Sequence, residues 1–121
     1  MQPVERRKFI RKKIRLRAAL VLPSGMVVYG NTRDISLEGV FMESTSFSGG
    51  PASSLTMGDA GVLTLWFRLG GREDFIKIRC QLLHVSASGA GFSIRHSELN
   101  AKDQNKLGRI IAAGRAQIDD D

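Results

Sequence analysis

Two short spacings hold the side chains best suited to chemistry. Arg7-Lys8-Phe9-Ile10-Arg11 is an R-x-x-x-R, and Asp34-Ile35-Ser36-Leu37-Glu38-Gly39 is a D-x-S-x-x-G. The first lies inside VERRKFIRKKIRLRAAL, which carries eight arginines and lysines: Arg6, Arg7, Lys8, Arg11, Lys12, Lys13, Arg15 and Arg17. Charge packed so densely suits three kinds of anion: a nucleic acid, an anionic lipid surface, or one small ligand held in a clamp. Each spacing is weak alone, because arginines four apart are common in basic arms and Asp, Ser and Gly are ordinary turn formers. Their order is more specific: R-x-x-x-R stands just before the first expected strand and D-x-S-x-x-G at the end of the second.

The charge is local. Of 18 basic and 12 acidic groups, eight basic and one acidic fall within residues 5–17, so the rest of the chain is near neutral. A general nucleic-acid binder spreads its positive charge over a face, whereas a local run suggests a local task. With 121 residues, 42% hydrophobic and 25% charged, the chain is of a size and composition for one globular domain. The single cysteine, Cys80, excludes an internal disulfide and fits a reducing compartment. No apolar run approaches the ~20 residues of a membrane-spanning helix. Ile14–Leu22 is broken by Arg15 and Arg17, which argues against a secretory signal. The expectation is a cytoplasmic protein without membrane insertion.

Alternation supplies the elements that must position the two motifs. Ile14, Leu16, Ala18, Leu20 and Leu22 share one face of a first strand, and Pro23-Ser24-Gly25 turns the chain. MVVYGNTRDIS is a second strand, in which Gly30 marks a bulge or a close backbone approach. GVFMES is a third. Residues 45–59, rich in Ser, Gly and Pro, form the longest loop. Leu63, Leu65 and Phe67 point inward from a fourth strand, with Trp66 outward, and GGRED turns into a fifth carrying Ile76, Ile78, Cys80 and Leu82 inward. Leu83 and Val85 break that alternation, as one extra, bulged residue would. A sixth strand places Ala90, Phe92 and Ile94 inward. Leu99, Leu107, Ile110 and Ile111 then recur at helical spacing, with Asn100 as the N-cap. Six short antiparallel strands and one helix predict a mainly β fold: a closed barrel with a C-terminal α-helix and a flexible basic N-terminal arm. The boundaries are residues 1–13 for the arm, 14–118 for the barrel and helix, and 119–121 for an acidic tail.

Enzyme chemistry is not written in the chain. His84 and His96 lack metal-ligand spacing, Cys80 sits on an inward face as a small core hydrophobe, and there is no nucleophile elbow, Walker loop or dinucleotide fingerprint. The expectation is a binding protein with no metal and no catalytic residue.

The arrangement of basic arm, R-x-x-x-R, D-x-S-x-x-G, six strands and terminal helix resembles the PilZ domain, a bacterial receptor family for the second messenger cyclic di-GMP. GAGF at residues 89–92 is similar to the family's Gly-x-Gly-Phe-like strand, and both ligand motifs match without substitution. The resemblance implies that Arg7, Arg11, Asp34, Ser36 and Gly39 hold cyclic di-GMP. The physics agrees. The ligand is a dianion with two flat guanines, and Arg can bond a phosphate or the guanine O6/N7 edge, or stack on the ring. Arginines at i and i+4 of an extended arm stand roughly 13 Å apart, at ~3.3 Å per residue, and can bracket a compact ligand. Asp34 can accept from guanine N1–H and N2–H, Ser36 adds a hydroxyl, and Gly39 is expected to give the turn a backbone conformation closed to other residues.

Arg6, just before R-x-x-x-R, resembles family members that take an intercalated ligand dimer; the alternative is one more solvated arginine. Lys12, Lys13, Arg15 and Arg17 add field and solubility. The arm is expected to order on the ligand and so present a new surface to an unidentified protein partner, or to a second copy in a homodimer. Two rivals stand beside this reading. One is a PilZ-like protein-interaction scaffold without nucleotide binding. The other is a small-barrel RNA or single-stranded DNA binder, disfavoured because Phe67, Phe92 and Phe41 fall on inward or strand positions and only Phe9 interleaves with the basic run.

Overall fold

The computed structural model describes residues 12–47 and 54–116. The middle of the Ser/Gly loop and the acidic tail at 119–121 lie outside the described residues. The strands are β1 (Lys12–Lys13), β2 (Arg17–Val21), β3 (Val27–Ile35), β4 (Gly39–Glu43), β5 (Ala60–Leu69), β6 (Arg72–Val85), β7 (Gly89–Ile94) and β8 (Arg115–Ala116), with helix α1 at Ala101–Ala113. Neighbours run β2-β5-β6-β7-β4-β3, all antiparallel, and β3 pairs back onto β2. That last pairing closes a six-stranded barrel, as expected, and removes the sheet's open edges.

The inward rows are those that alternation predicts. Leu20, Leu63, Leu65, Ile76, Ile78, Leu82 and Phe92 are buried in one cluster with Cys80 and Ile94. The β5–β6 hairpin turns on Gly70 and Gly71, both at positive φ (59° and 79°), which glycine adopts without a Cβ clash. Gly30 is a close approach, since a methyl there would lie 2.2 Å from the Glu43 carbonyl. The bulge read into β6 is present, between Leu82 and His84.

Two features depart from expectation. Phe47, in a 3₁₀ turn at Thr45–Phe47, enters the core at 2% exposure and meets Phe92 edge-on at 5.9 Å. Its loop context hides it from any periodic reading. The first strand is also interrupted: β1 and β2 run along the same edge of β3, but Ile14–Leu16 lies in neither. Here Thr32, fully buried, replaces the ladder. Its N–H donates to the Leu16 carbonyl at 2.8 Å, its hydroxyl oxygen accepts from the Leu16 N–H at 2.8 Å, and its hydroxyl donates to the Ile14 carbonyl.

Helix α1 begins at Asn100, whose Oδ1 accepts from the Asp103 N–H at 2.8 Å, and it buries Leu107 and Ile110 against the barrel. Lys106 Nζ reaches Asp74 Oδ2 at 3.0 Å and ties the helix to the start of β6. After α1, β8 pairs with β1, and Gly114 is the hinge residue that fits there: a methyl on it would strike Ile14 Cγ1 at 2.3 Å. Among the described residues no helix is long and apolar enough to cross a membrane.

Candidate functional site

Two bulges shape one wall of the barrel. The first lies in β3 between Thr32 and Asp34, so that Arg33 is the extra residue; the second is Leu83 in β6. A bulge bends its strand and increases local twist. With β4 and β7 between the two bulged strands, the outer wall curls into a concavity of about 460 Å³, edged by Arg33 and Asp34 on one side and Leu83 and His84 on the other. Ser36, Glu38, Gly39, Phe41, Gly91 and Ser93 also line it.

Asp34 is the only charged side chain buried among the described residues, at 3% exposure. Its cross-strand neighbours are Lys13 of β1 and Phe41 of β4, and its Oδ2 accepts from Arg33 Nε at 3.1 Å. A buried carboxylate without a donor is costly, so Asp34 stands as an acceptor already committed to a guanidinium. Ser36, 2% exposed, builds the turn between β3 and β4: its Oγ accepts from the N–H groups of Glu38 (3.2 Å) and Gly39 (3.1 Å), an ST-turn. Gly39 does not have the special backbone conformation expected of it, because positive φ is confined to Gly25, Gly58, Gly70 and Gly71 among the described residues. Its role is spatial: a methyl there would lie 3.1 Å from the Phe92 carbonyl across the β4–β7 ladder. Asp34, Ser36 and Gly39 therefore come together at one end of the concavity. Arg6, Arg7 and Arg11 lie outside the described residues.

Three residues of this wall escape the sequence reading. Phe41 is buried (6%) but on the outer side, roofed by the Arg33 guanidinium 3.8 Å above its ring centroid. The inward position considered for it belongs to its neighbours Val40 and Met42. His84 packs beside Phe41, ring centroids 5.9 Å apart and planes tilted by 37°. Gly91 makes room for that imidazole, since a methyl there would come within 2.4 Å of His84 Cε1. One signal for Arg33 was present: Val28 and Ile35 both point inward although an odd number of steps separates them, which requires an extra residue between.

A concavity of about 450 Å³ near Val21, Pro23 and Val62 includes Arg79 and Arg95, but Arg95 is paired with Glu98 at 3.2 Å. Trp66 faces outward, half-buried, with Arg17 over its ring at 5.4 Å. Among the described residues no three His, Cys, Asp or Glu side chains cluster as metal ligands. Cys80 is 2% exposed, and burial pushes its thiol up to about 12, leaving a protonated, unreactive group.

Known proteins match this architecture. A family model described as PilZ domain matches residues 5–113. Among solved structures, the chain is similar to the Bacillus subtilis inhibitor of motility MotI/DgrA, with 17% identity and a TM-score of 0.71 over 93% of this chain. The chain spans only 53%, about half, of that protein. It is similar to the PilZ domain of YcgR from Escherichia coli, solved with c-di-GMP, at 17% identity and a TM-score of 0.66, covering 90% of this chain and 91% of that one. The PilZ domain of CeSA from a cellulose-synthesizing bacterium superposes at a TM-score of 0.60 with 16% identity, covering 84% and 94%. No curated protein sequence matches the chain significantly.

Proposed function

The chain belongs to the PilZ domain family, and from that membership we propose that it is a receptor for cyclic di-GMP that acts through a protein partner rather than through catalysis. The observation that carries this reading is the position of Asp34. The one buried carboxylate among the described residues faces a concavity of about 460 Å³, and its cross-strand neighbour is Lys13, at the root of the basic segment. The YcgR domain that this barrel resembles was solved with c-di-GMP, which supports the same ligand here.

In the proposed complex Asp34 accepts from guanine N1–H and N2–H, and the turn built by Ser36 and Gly39 sets the floor. The basic segment joins the barrel at β1, where Lys12 pairs with Ile35 and Lys13 with Asp34, and this supports R-x-x-x-R acting beside Asp34. Arg7 and Arg11 clamp the phosphates or guanine edges from that edge, and Arg6 serves a second, intercalated ligand molecule. Closure of the arm, whose last two residues Lys12 and Lys13 already pair with β3 as β1, over the barrel and helix of residues 14–118 then creates the surface that a cytoplasmic partner, or a second copy, reads.

The test is calorimetric titration of cyclic di-GMP into the wild type, Arg7→Ala and Asp34→Ala. Saturable heat of micromolar affinity or tighter, lost in both variants, is expected. Two ligands per protomer supports the role of Arg6, and one per protomer removes it. A folded wild type that gives no heat would sink the receptor reading and favour a scaffold without nucleotide.

A further inference from the structure

Arg33 belongs to neither ligand motif, yet it is held more rigidly than a surface arginine needs to be. One face of its guanidinium lies on Phe41 at 3.8 Å, and its Nε is fixed by Asp34 Oδ2 at 3.1 Å. Phe41 in turn is braced by His84, seated against the backbone of Gly91. The Arg33 side chain keeps 44% exposure, so its other face is open to the concavity.

We infer that Arg33 is a specificity-determining residue of this site: its guanidinium, pinned flat between Phe41 and Asp34, is the platform on which one purine base of the ligand stacks. This rests on the receptor reading above. A base whose N1–H and N2–H edge reaches Asp34 is brought next to Arg33, because the same carboxylate accepts from both, and the open guanidinium face is then within its reach. The guanidinium stacks on ring faces as aromatic side chains do, and a plane already immobilised on two sides loses little freedom when a third layer is added. The result is a Phe41–Arg33–base sandwich, with His84 keeping the Phe41 ring from sliding. Lysine can supply the charge at position 33 but not the plane.

The experiment uses the full chain with cyclic di-GMP, and with an analogue carrying thienoguanine, a fluorescent surrogate that keeps the N1–H and N2–H donors, for one guanine; its fluorescence is quenched by stacking. Arg33→Lys and Arg33→Ala are both expected to weaken cyclic di-GMP binding at least tenfold, and Phe41→Leu severalfold with the charge intact. At saturating protein the wild type quenches the analogue, and both position-33 variants leave it bright. Thermal melts confirm folding, and Arg33→Lys keeps a donor near Asp34 should Arg33→Ala fail to fold. Wild-type affinity in Arg33→Lys would show a point charge, and full quenching by Arg33→Ala a base stacked elsewhere; either overturns the platform. A wild type that ignores cyclic di-GMP fails the receptor reading itself, whereas a binding wild type with unchanged Arg33→Lys fails this inference alone.

Discussion

Replacing Thr32 by valine isolates the device that joins the basic segment to the barrel. Valine keeps the shape of the fully buried side chain and removes only the hydroxyl. That hydroxyl accepts from the Leu16 N–H at 2.8 Å and donates to the Ile14 carbonyl, so its loss leaves one backbone donor and one acceptor without partners at the gap between β1 and β2. Each hydrogen bond contributes about 0.5–1.5 kcal/mol net. Against this, an added buried methyl stabilises by about 0.8 kcal/mol. The expected net loss is about 1–2 kcal/mol, a fall of roughly 4–8 °C in melting temperature for a domain of this size. Urea unfolding measures the first, and amide exchange locates it: Leu16 should lose protection in Thr32→Val and keep it in Thr32→Ser, which forfeits only a buried methyl at about 1 kcal/mol. A valine variant as stable as the wild type, with Leu16 still protected, would refute the claim that this hydroxyl stands in for the missing ladder.

Three further outcomes are expected. Asn100→Ala removes the acceptor for the Asp103 N–H and should cost about 1 kcal/mol, read by urea unfolding, with exchange first gained in the opening turn of α1. Cys80 should resist thiol reagents in the native state at pH 8 and react fully on unfolding. Because burial raises its thiol from 9.0 to about 12, the unfolded chain sheds this proton first, so stability should fall as pH rises from 9 toward 12, and Cys80→Ser should flatten that part of the curve. The hydrogen bond from Lys106 holds the Asp74 carboxyl below its usual value, assisted by the Phe75 N–H. A depressed carboxylate stabilises above its unfolded value of 3.8, so acidification through that range should loosen α1 from β6, and Lys106→Met should abolish that acid dependence in helix exchange.

Much of the barrel is legible because alternation is a local signal. Leu63, Leu65 and Phe67, or Ile76, Ile78 and Cys80, declare their face within a few residues, and even the Leu83 slip shows as a broken period. The D-x-S-x-x-G turn is equally local, since Ser36 caps N–H groups two and three residues on. What stays hidden depends on distant partners. Phe41 reads as a core residue beside Val40 and Met42 until Arg33, from another strand, is found roofing it on the outside. The two-residue pairings of β1 join it to β3, roughly twenty positions on, and to β8, about a hundred positions on, and Lys12–Lys13 carries no periodic hint of either. Phe47 fills the core from a turn, where no period exists to reveal it. Gly39 looked like a conformational glycine because its motif is a turn, and proved to be a spacing glycine because the β7 backbone lies against it.

The bulge at Arg33 separates the makeup of the outer wall from that of the barrel core. Thr32 pairs with Met42 and Asp34 with Phe41, so the regular ladder passes from one pair to the next as if Arg33 were absent. Deleting that codon would leave Thr32, Asp34 and Ile35 in their present phases and the core untouched. Loss or exchange of this residue would therefore be felt on the outer wall and not in the core: Arg33 Nε is the donor to the buried Asp34, and its carbonyl accepts from the Ile14 N–H at 3.2 Å.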